Sequence, residues 1–252
     1  MASDNRFFSF LAKRRNPHGD TSVGRWNSRR YYAKQFDVLL KSGALKGEVL
    51  EIGPGEGNLA YQCREAGVSY RAIERSAGLY ASLKEQGFDV TLGAAPLLPY
   101  DSKQFDLVCA MAILEHMPTF NEALELLLEC NRVLKATGRL AIVVPDALRG
   151  GPDFYNWDYT HSFMTTTFRV EQILGDAGFE IKKLVHFTGL LEGPVRFPID
   201  LLGFAVHTRI AYWLGMSLGM ESLMYKFHKT FEPSFMVVAG KIQEETSSSN
   251  GK

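Results

Sequence analysis

The sequence predicts an α/β protein: a doubly wound, mostly parallel seven-stranded sheet with a helical insertion before its last strand. Three observations carry this expectation. Val49, Leu50 and Ile52 read as a short buried strand that runs through Gly53, Gly55 and Gly57 into a helical pattern beginning at about Asn58. Strand and helix patterns then alternate with short links, which implies right-handed crossovers and a parallel sheet. Phe105-Asp106-Leu107-Val108-Cys109-Ala110-Met111 is nearly continuous in apolar residues, as strands buried on both faces are.

Taken in order, residues 1–30 are basic, aromatic and broken by Asn16-Pro17-His18-Gly19, and they read as an irregular arm. Tyr31 to Ser42 reads as a helix with Tyr32, Phe36, Leu39 and Leu40 on one face. After the glycine turn a helix covers about Asn58 to Ala66 and closes at Gly67, a residue that readily takes the left-handed cap conformation. Val68–Glu74 is a second strand, Ser76 caps a helix that runs to Gln86, and Phe88–Leu92 is a third strand. Following the strand at 105–111, Thr119 and Glu122 form a capping box, and Phe120, Leu124, Leu127 and Leu134 recur at helical spacing. Gly138 marks a turn, and Arg139–Val144 is the fifth strand. Residues 145–164 read as a loop rich in Gly, Pro, Asp and aromatics. A helix at 167–177, a strand at 179–187, an apolar and mostly helical stretch at 188–231 and a last strand at 235–240 complete the pattern.

Composition narrows the class. The 252 residues suit one open α/β unit, and 46% hydrophobic with 22% charged residues is ordinary for a globular chain. Net charge is zero, so nothing global points to nucleic acid or an anionic surface. Residues 1–46 nevertheless hold ten Lys/Arg against Asp4, Asp20 and Asp37, a local +7. Cys63, Cys109 and Cys130 are odd in number, lie in apolar contexts and have no metal-pair spacing. Buried thiols in a reducing, cytoplasmic compartment follow. Met1–Phe10 lacks the pattern of a secretory signal, and no apolar run reaches the length of a membrane span.

A strand that passes through glycines into a helix brings bare backbone N–H groups against a ligand. The spacing here is G-x-G-x-G, with Glu51 two residues before the first glycine, instead of the dinucleotide-type G-x-G-x-x-G. Glu51-Ile52-Gly53-Pro54-Gly55-Glu56-Gly57 resembles the cofactor loop of class I S-adenosylmethionine-dependent methyltransferases. Further segments are similar to that family in the same order: Glu74 at the end of the second strand, Gly93–Tyr100 before Phe105–Val108, Leu114-Glu115-His116-Met117, Arg132-Val133-Leu134-Lys135 with Gly138, and Ala177-Gly178-Phe179. The resemblance covers about residues 46–187 and 233–242, with residues 188–231 inserted, and falls in the branch that acts on small molecules. It implies a Rossmann-like methyltransferase fold over residues 47–242, a basic arm and helix at 1–46 capping the cofactor site, and a disordered tail at 243–252.

By the same resemblance, S-adenosylmethionine is the cofactor, held by Glu51, Gly53, Pro54, Gly55, Gly57, Glu74, Arg75, Ala94, Ala95, Ala110 and Met111, with Glu74 accepting the ribose hydroxyls. One departure stands out: Ala94 occupies the position where the family usually carries an acid for the adenine amino group, and Asp101 is the nearby carboxylate that could replace it. Glu51 can be a direct ligand or an electrostatic support for the loop.

Methyl transfer is an in-line displacement in which the protein aligns two reactants and excludes water, and a hydroxyl acceptor also needs a base. His161, in the loop after the fifth strand, and His116, after the fourth, are the candidate catalytic residues: His161 as base or substrate orienter, with a structural role open for both. Asp146 and Asp158 raise the question of a divalent metal, but no acid directly follows the fourth strand, so no metal is expected. Ala112-Ile113-Leu114-Glu115 is not the Asn/Asp-Pro-Pro-aromatic box of base-amino methyltransferases, and no Pro-Cys pair is placed as a cytosine-type nucleophile. Arg-rich residues with Trp26, Tyr31 and Tyr32 could contact nucleic acid, yet a cap is the simpler role. The expectation is therefore methyl transfer to a small molecule, at oxygen, without nucleic acid. Two rivals stand beside it: a non-catalytic, cofactor-binding interaction protein of the same fold, and a nicotinamide-dependent oxidoreductase, which the glycine spacing opposes. The 188–231 stretch, with Phe197, Leu201, Leu202, Phe204, Ile210, Trp213, Leu214, Met216 and Met220, can be a lid over an apolar or lipid-like acceptor, a homodimer surface or a membrane-surface contact.

Overall fold

A computed structural model describes residues 22–151, 153–156, 158–189, 191–198, 201, 213–215, 217–220 and 232–243. Its frame is a single sheet in the order β3-β2-β1-β4-β5-β8-β6-β7. The strands are β1 (Glu48–Ile52), β2 (Ser69–Glu74), β3 (Asp89–Leu92), β4 (Phe105–Met111), β5 (Leu134–Pro145), β6 (Phe179–Thr188), β7 (Leu191–Glu192) and β8 (Pro233–Lys241). Strands β1 to β5 pair in parallel. Strand β8 enters antiparallel between β5 and β6. The seven expected strands are all present, and the two-residue β7 adds a short hairpin at the β6 edge.

Alternation along the strands sorts side chains to two faces. On one, Leu50, Ile52, Val108, Leu140, Ile142 and Val237 pack against α4 (Phe120–Val133) and α7 (Thr167–Asp176). On the other, Val49, Leu107, Cys109, Val143 and Met236 meet α1 (Ser22–Lys41) and α2 (Asn58–Glu65). Near β2 and β3, Ala60, Ala72, Leu83 and Val90 join α2 to α3 (Ala77–Glu85). Val38 and Leu39 of α1 are in this packing, and its Tyr31 hydroxyl lies 3.0 Å from Ser234 Oγ on β8.

Several boundaries differ from the sequence reading. Helix α1 starts at Ser22, so residues 22–30 are helical and not part of an irregular arm. Strand β5 begins at Leu134, and Gly138 lies inside it. That glycine serves a close approach, not a turn: a Cβ there would sit 2.9 Å from Leu134 Cδ2 and 3.2 Å from the Phe105 carbonyl oxygen. In α4 the buried face is Ala123, Leu126, Leu127, Cys130 and Val133, while Phe120 is 48% exposed. The small residues allow the helix to approach the sheet, and counting only large apolar residues misplaces that face. The 145–164 loop contains two one-turn helices, α5 (Ala147–Gly150) and α6 (Asp153–Asn156). Gln243, expected in the tail, donates to the Ala136 carbonyl at 3.2 Å. Residues 1–21 and 244–252, and most of 188–231, lie outside the described residues.

Candidate active site

The carboxyl ends of β1, β2, β4 and β5 converge, as expected for a ligand site in a doubly wound sheet. Gly53, Gly55 and Gly57 have φ of 67°, 56° and 80°, values that L side chains adopt only with strain. Gly57 N–H donates to the Pro54 carbonyl at 2.9 Å, closing the turn into α2. A Cβ on Gly53 would lie 2.4 Å from Ile113 Cδ1, so the loop touches the segment after β4, whereas a Cβ on Gly55 would meet open space. Glu74, buried at the end of β2, faces this loop: one carboxylate oxygen accepts from Gly55 N–H at 3.4 Å and the other from Ser76 N–H at 2.7 Å. Open space above Gly55 beside a buried carboxylate fits a nucleoside whose ribose hydroxyls bind Glu74.

Glu51 lies on β1 just before the glycine loop. It is buried on the α1/α2 face and accepts a hydrogen bond from the Tyr70 hydroxyl. Burial raises its carboxyl to about 7, the Tyr70 hydrogen bond opposes the rise, and the Glu74 charge adds to it. Ala110 is buried and Met111 half-buried at the end of β4, where the backbone turns through Ala112 at φ 57°.

The β3–β4 loop is held from behind. Arg132 donates to the Leu98 carbonyl at 2.9 Å and the Tyr100 carbonyl at 2.8 Å. The same guanidinium pairs with Glu129 at 2.7 Å, and Glu129 in turn accepts from Leu98 N–H at 3.1 Å. This clamp gives the Arg132-containing motif a physical role that the sequence did not reveal. Ala94 is exposed and Ala95 half-buried against the core. Asp101 is also exposed, and its charge acts on Arg132.

Beyond β4 and β5 the structure brings together the two histidines that the sequence offered separately. Leu114–His116 is a short 3-10 helix after β4, and the Glu115 carbonyl accepts from Ser162 N–H at 2.9 Å and Phe163 N–H at 3.0 Å. That junction sets the His116 and His161 rings 4.9 Å apart. His161, 7% exposed, has Nδ1 2.6 Å from the Phe154 carbonyl. A carbonyl only accepts, so Nδ1 carries a proton, and whenever the ring is neutral the lone pair is on Nε2, which lies 3.9 Å from Asp158 Oδ2. His116 Nδ1 lies 2.8 Å from Thr160 Oγ1, which itself donates to Asp158 Oδ1 at 2.6 Å. The same tautomer follows for His116. Burial, then the neighbouring His161, then the Arg75 guanidinium push His116 down to about 4, against the pull of Asp158. Asp158 and Thr160, unassigned or differently weighed from sequence, therefore act as supports. Asp146 is engaged elsewhere, capping α5 through Leu148 N–H at 3.2 Å.

Comparisons with known proteins bear on the domain and the fold. Residues 50–142, from β1 into β5, match the methyltransferase domain family. No curated protein matches the chain. Among solved structures, a methyltransferase from Archaeoglobus fulgidus, named as dependent on S-adenosylmethionine, is 17% identical, with TM-score 0.58 over 93% of this chain and 100% of that one. A candidate sarcosine dimethylglycine methyltransferase from Galdieria sulphuraria is 17% identical, with TM-score 0.60 over 84% and 86%. The [4+2]-cyclase SpnF is 21% identical, with TM-score 0.59 over 83% and 81%. At these identities the likeness concerns the fold, and a cyclase among the neighbours shows that the acceptor chemistry has to be argued from the site. The domain match over residues 50–142 and the shared fold support an S-adenosylmethionine-dependent methyltransferase. In this chain residues 50–142 are its methyltransferase domain, and S-adenosylmethionine is its cofactor.

Proposed function

We propose that the protein methylates a hydroxyl oxygen of a small-molecule acceptor, and that His161, backed by His116, receives and orients that hydroxyl. The observation that supports this reading is the paired imidazoles at the ends of β4 and β5, each locked through Nδ1 into a tautomer with an Nε2 lone pair. Bound cofactor supplies a methyl group already activated on a sulfonium. Gly53, Gly55 and Gly57 would lay backbone along it, Glu74 would grip its ribose, and Ile113, Ala110 and Met111 would wall the reacting end. The His161 lone pair would meet the acceptor hydroxyl, align its oxygen and take its proton as the new bond forms. His161→Ala is expected to lower turnover about 100-fold or more with little change in cofactor affinity. Full turnover of that variant with the true acceptor would end the assignment.

The apolar stretch favours a large, apolar or lipid-like acceptor under a lid formed by residues 188–231, with residues 1–46 as a second cover. Phe197, Leu201, Trp213 and Leu218 are 60%, 71%, 66% and 70% exposed, leaving apolar surface for an acceptor or partner. No helix among the described residues is long and apolar enough to cross a membrane. Sedimentation and liposome flotation of the wild type and a deletion of residues 197–222 separate a lid from a homodimer surface or a membrane-surface contact.

A further inference from the structure

Where β4 and β5 end, three side chains suited to a metal ion meet. Glu115, His116 and His161 each offer a potential ligand atom, and these atoms lie within 4.8 Å of one another. The hydrogen bonds behind the rings give this cluster weight. His161 Nδ1–H is taken by the Phe154 carbonyl at 2.6 Å, and His116 Nδ1–H by Thr160 Oγ1 at 2.8 Å. Thr160 is oriented in turn by Asp158, through its hydroxyl at 2.6 Å and its backbone N–H at 3.0 Å. Backing of this kind, with a carbonyl on one ring and a hydroxyl–carboxylate pair on the other, fixes the orientation of metal-binding histidines and makes the outer nitrogen a better donor.

Two imidazoles and one carboxylate suit a divalent transition metal such as Zn²⁺, Fe²⁺, Mn²⁺ or Co²⁺, whereas Mg²⁺ and Ca²⁺ prefer oxygen alone. Bonds of about 2.0–2.2 Å would require the three donors to close in from their present separation. Glu115 and His161 lie in the interior at 1% and 7% exposure, and His116 is half-buried beside them. At His116 the Asp158 carboxylate opposes the effect of the nearby Arg75 charge. We propose that Glu115, His116 and His161 bind one divalent transition-metal ion whose remaining coordination position faces the acceptor. With the ion in place the imidazole lone pairs would hold the metal instead of accepting a proton, and the metal would draw the acceptor hydroxyl oxygen and lower its pKa so that the proton passes to solvent water before the oxygen takes the methyl group. This deepens the acceptor-side reading above and rests on it only for what the ion coordinates, because the ion binds whether or not an acceptor is present.

The test uses tag-free full-length protein stripped with chelator, reloaded with Zn²⁺ or Co²⁺, and passed through a desalting column before metal is counted by mass spectrometry. One ion per wild-type chain is expected, with Co²⁺ giving the visible absorption of a low-coordinate site. Glu115→Gln, which keeps the side chain's shape, and His161→Gln should weaken binding by 100-fold or more. Thr160→Val should weaken it about 10-fold, since it only removes the support of one ring. His186→Gln, on β6 and outside the cluster, should bind as the wild type does. Circular dichroism of each variant confirms folding. A folded wild type that retains no ion, or a folded His161→Gln that binds as tightly as wild type, overturns the proposal. If no ion binds but His161→Ala still abolishes turnover, the metal-free acceptor reading stands by itself.

Discussion

Glu51→Gln should change how stability depends on pH, by an amount set by the burial of one carboxyl group. Glu51 is 4% exposed and its carboxyl is raised from 4.5 to about 7, chiefly because burial disfavours the charge. That interval corresponds to about 3 kcal/mol at about 1.4 kcal/mol per pH unit. Between pH 4.5 and 7 the folded chain keeps a proton that the unfolded chain has released, so this group's contribution to stability falls as pH rises and reaches its full penalty above about 7. Glutamine cannot ionise, and its carbonyl still accepts from Tyr70. Other groups titrate equally in both proteins and cancel in the difference. The variant should therefore gain on the wild type by about 3 kcal/mol between pH 4.5 and pH 8, or roughly 6–12 °C in melting temperature for a chain of this size. Paired thermal melts at matched ionic strength measure it. A stability difference that stays flat across that window would show that the carboxyl is not buried as described.

Other substitutions probe the frame of the site. Gly53→Ala combines a left-handed φ of 67° with a 2.4 Å approach to Ile113 Cδ1, so it should lower the melting temperature by several degrees and weaken cofactor binding at least 10-fold in calorimetry. Arg132→Ala removes donors to the Leu98 and Tyr100 carbonyls and takes away the guanidinium partner of Glu129, and denaturant titration should show a loss of about 1–3 kcal/mol. The three cysteines are free and buried, and burial pushes the Cys63 thiol up to about 12. A thiol reagent near neutral pH should accordingly label them only after unfolding, and rapid labelling of the native chain would contradict the packing.

Features written in local sequence were the easiest to read. Three glycines between an apolar strand and a helix, Ser76 and Thr119 as caps, and the run Phe105–Met111 each specify a turn, a helix start or a buried strand without help from distant residues. What sequence obscured depends on distant contacts or on packing. The role of Gly138 follows from its closeness to Phe105 on the neighbouring strand. The buried face of α4 uses Ala123 and Cys130, which a search for large apolar side chains passes over. His116 and His161 were visible separately as loop histidines, but their meeting depends on the backbone bonds from residues 162 and 163 to Glu115. Asp158 belongs to that group through Thr160, a link that composition could not suggest.

The most direct test of the account is calorimetric titration of S-adenosylmethionine into wild type and Glu74→Gln. Micromolar binding by the wild type and a loss of about 10- to 100-fold in the folded variant are predicted, as expected for removing a charged acceptor. A wild type that ignores the cofactor at millimolar concentration, or a variant that binds it equally well, would contradict the account of the glycine turn and its carboxylate.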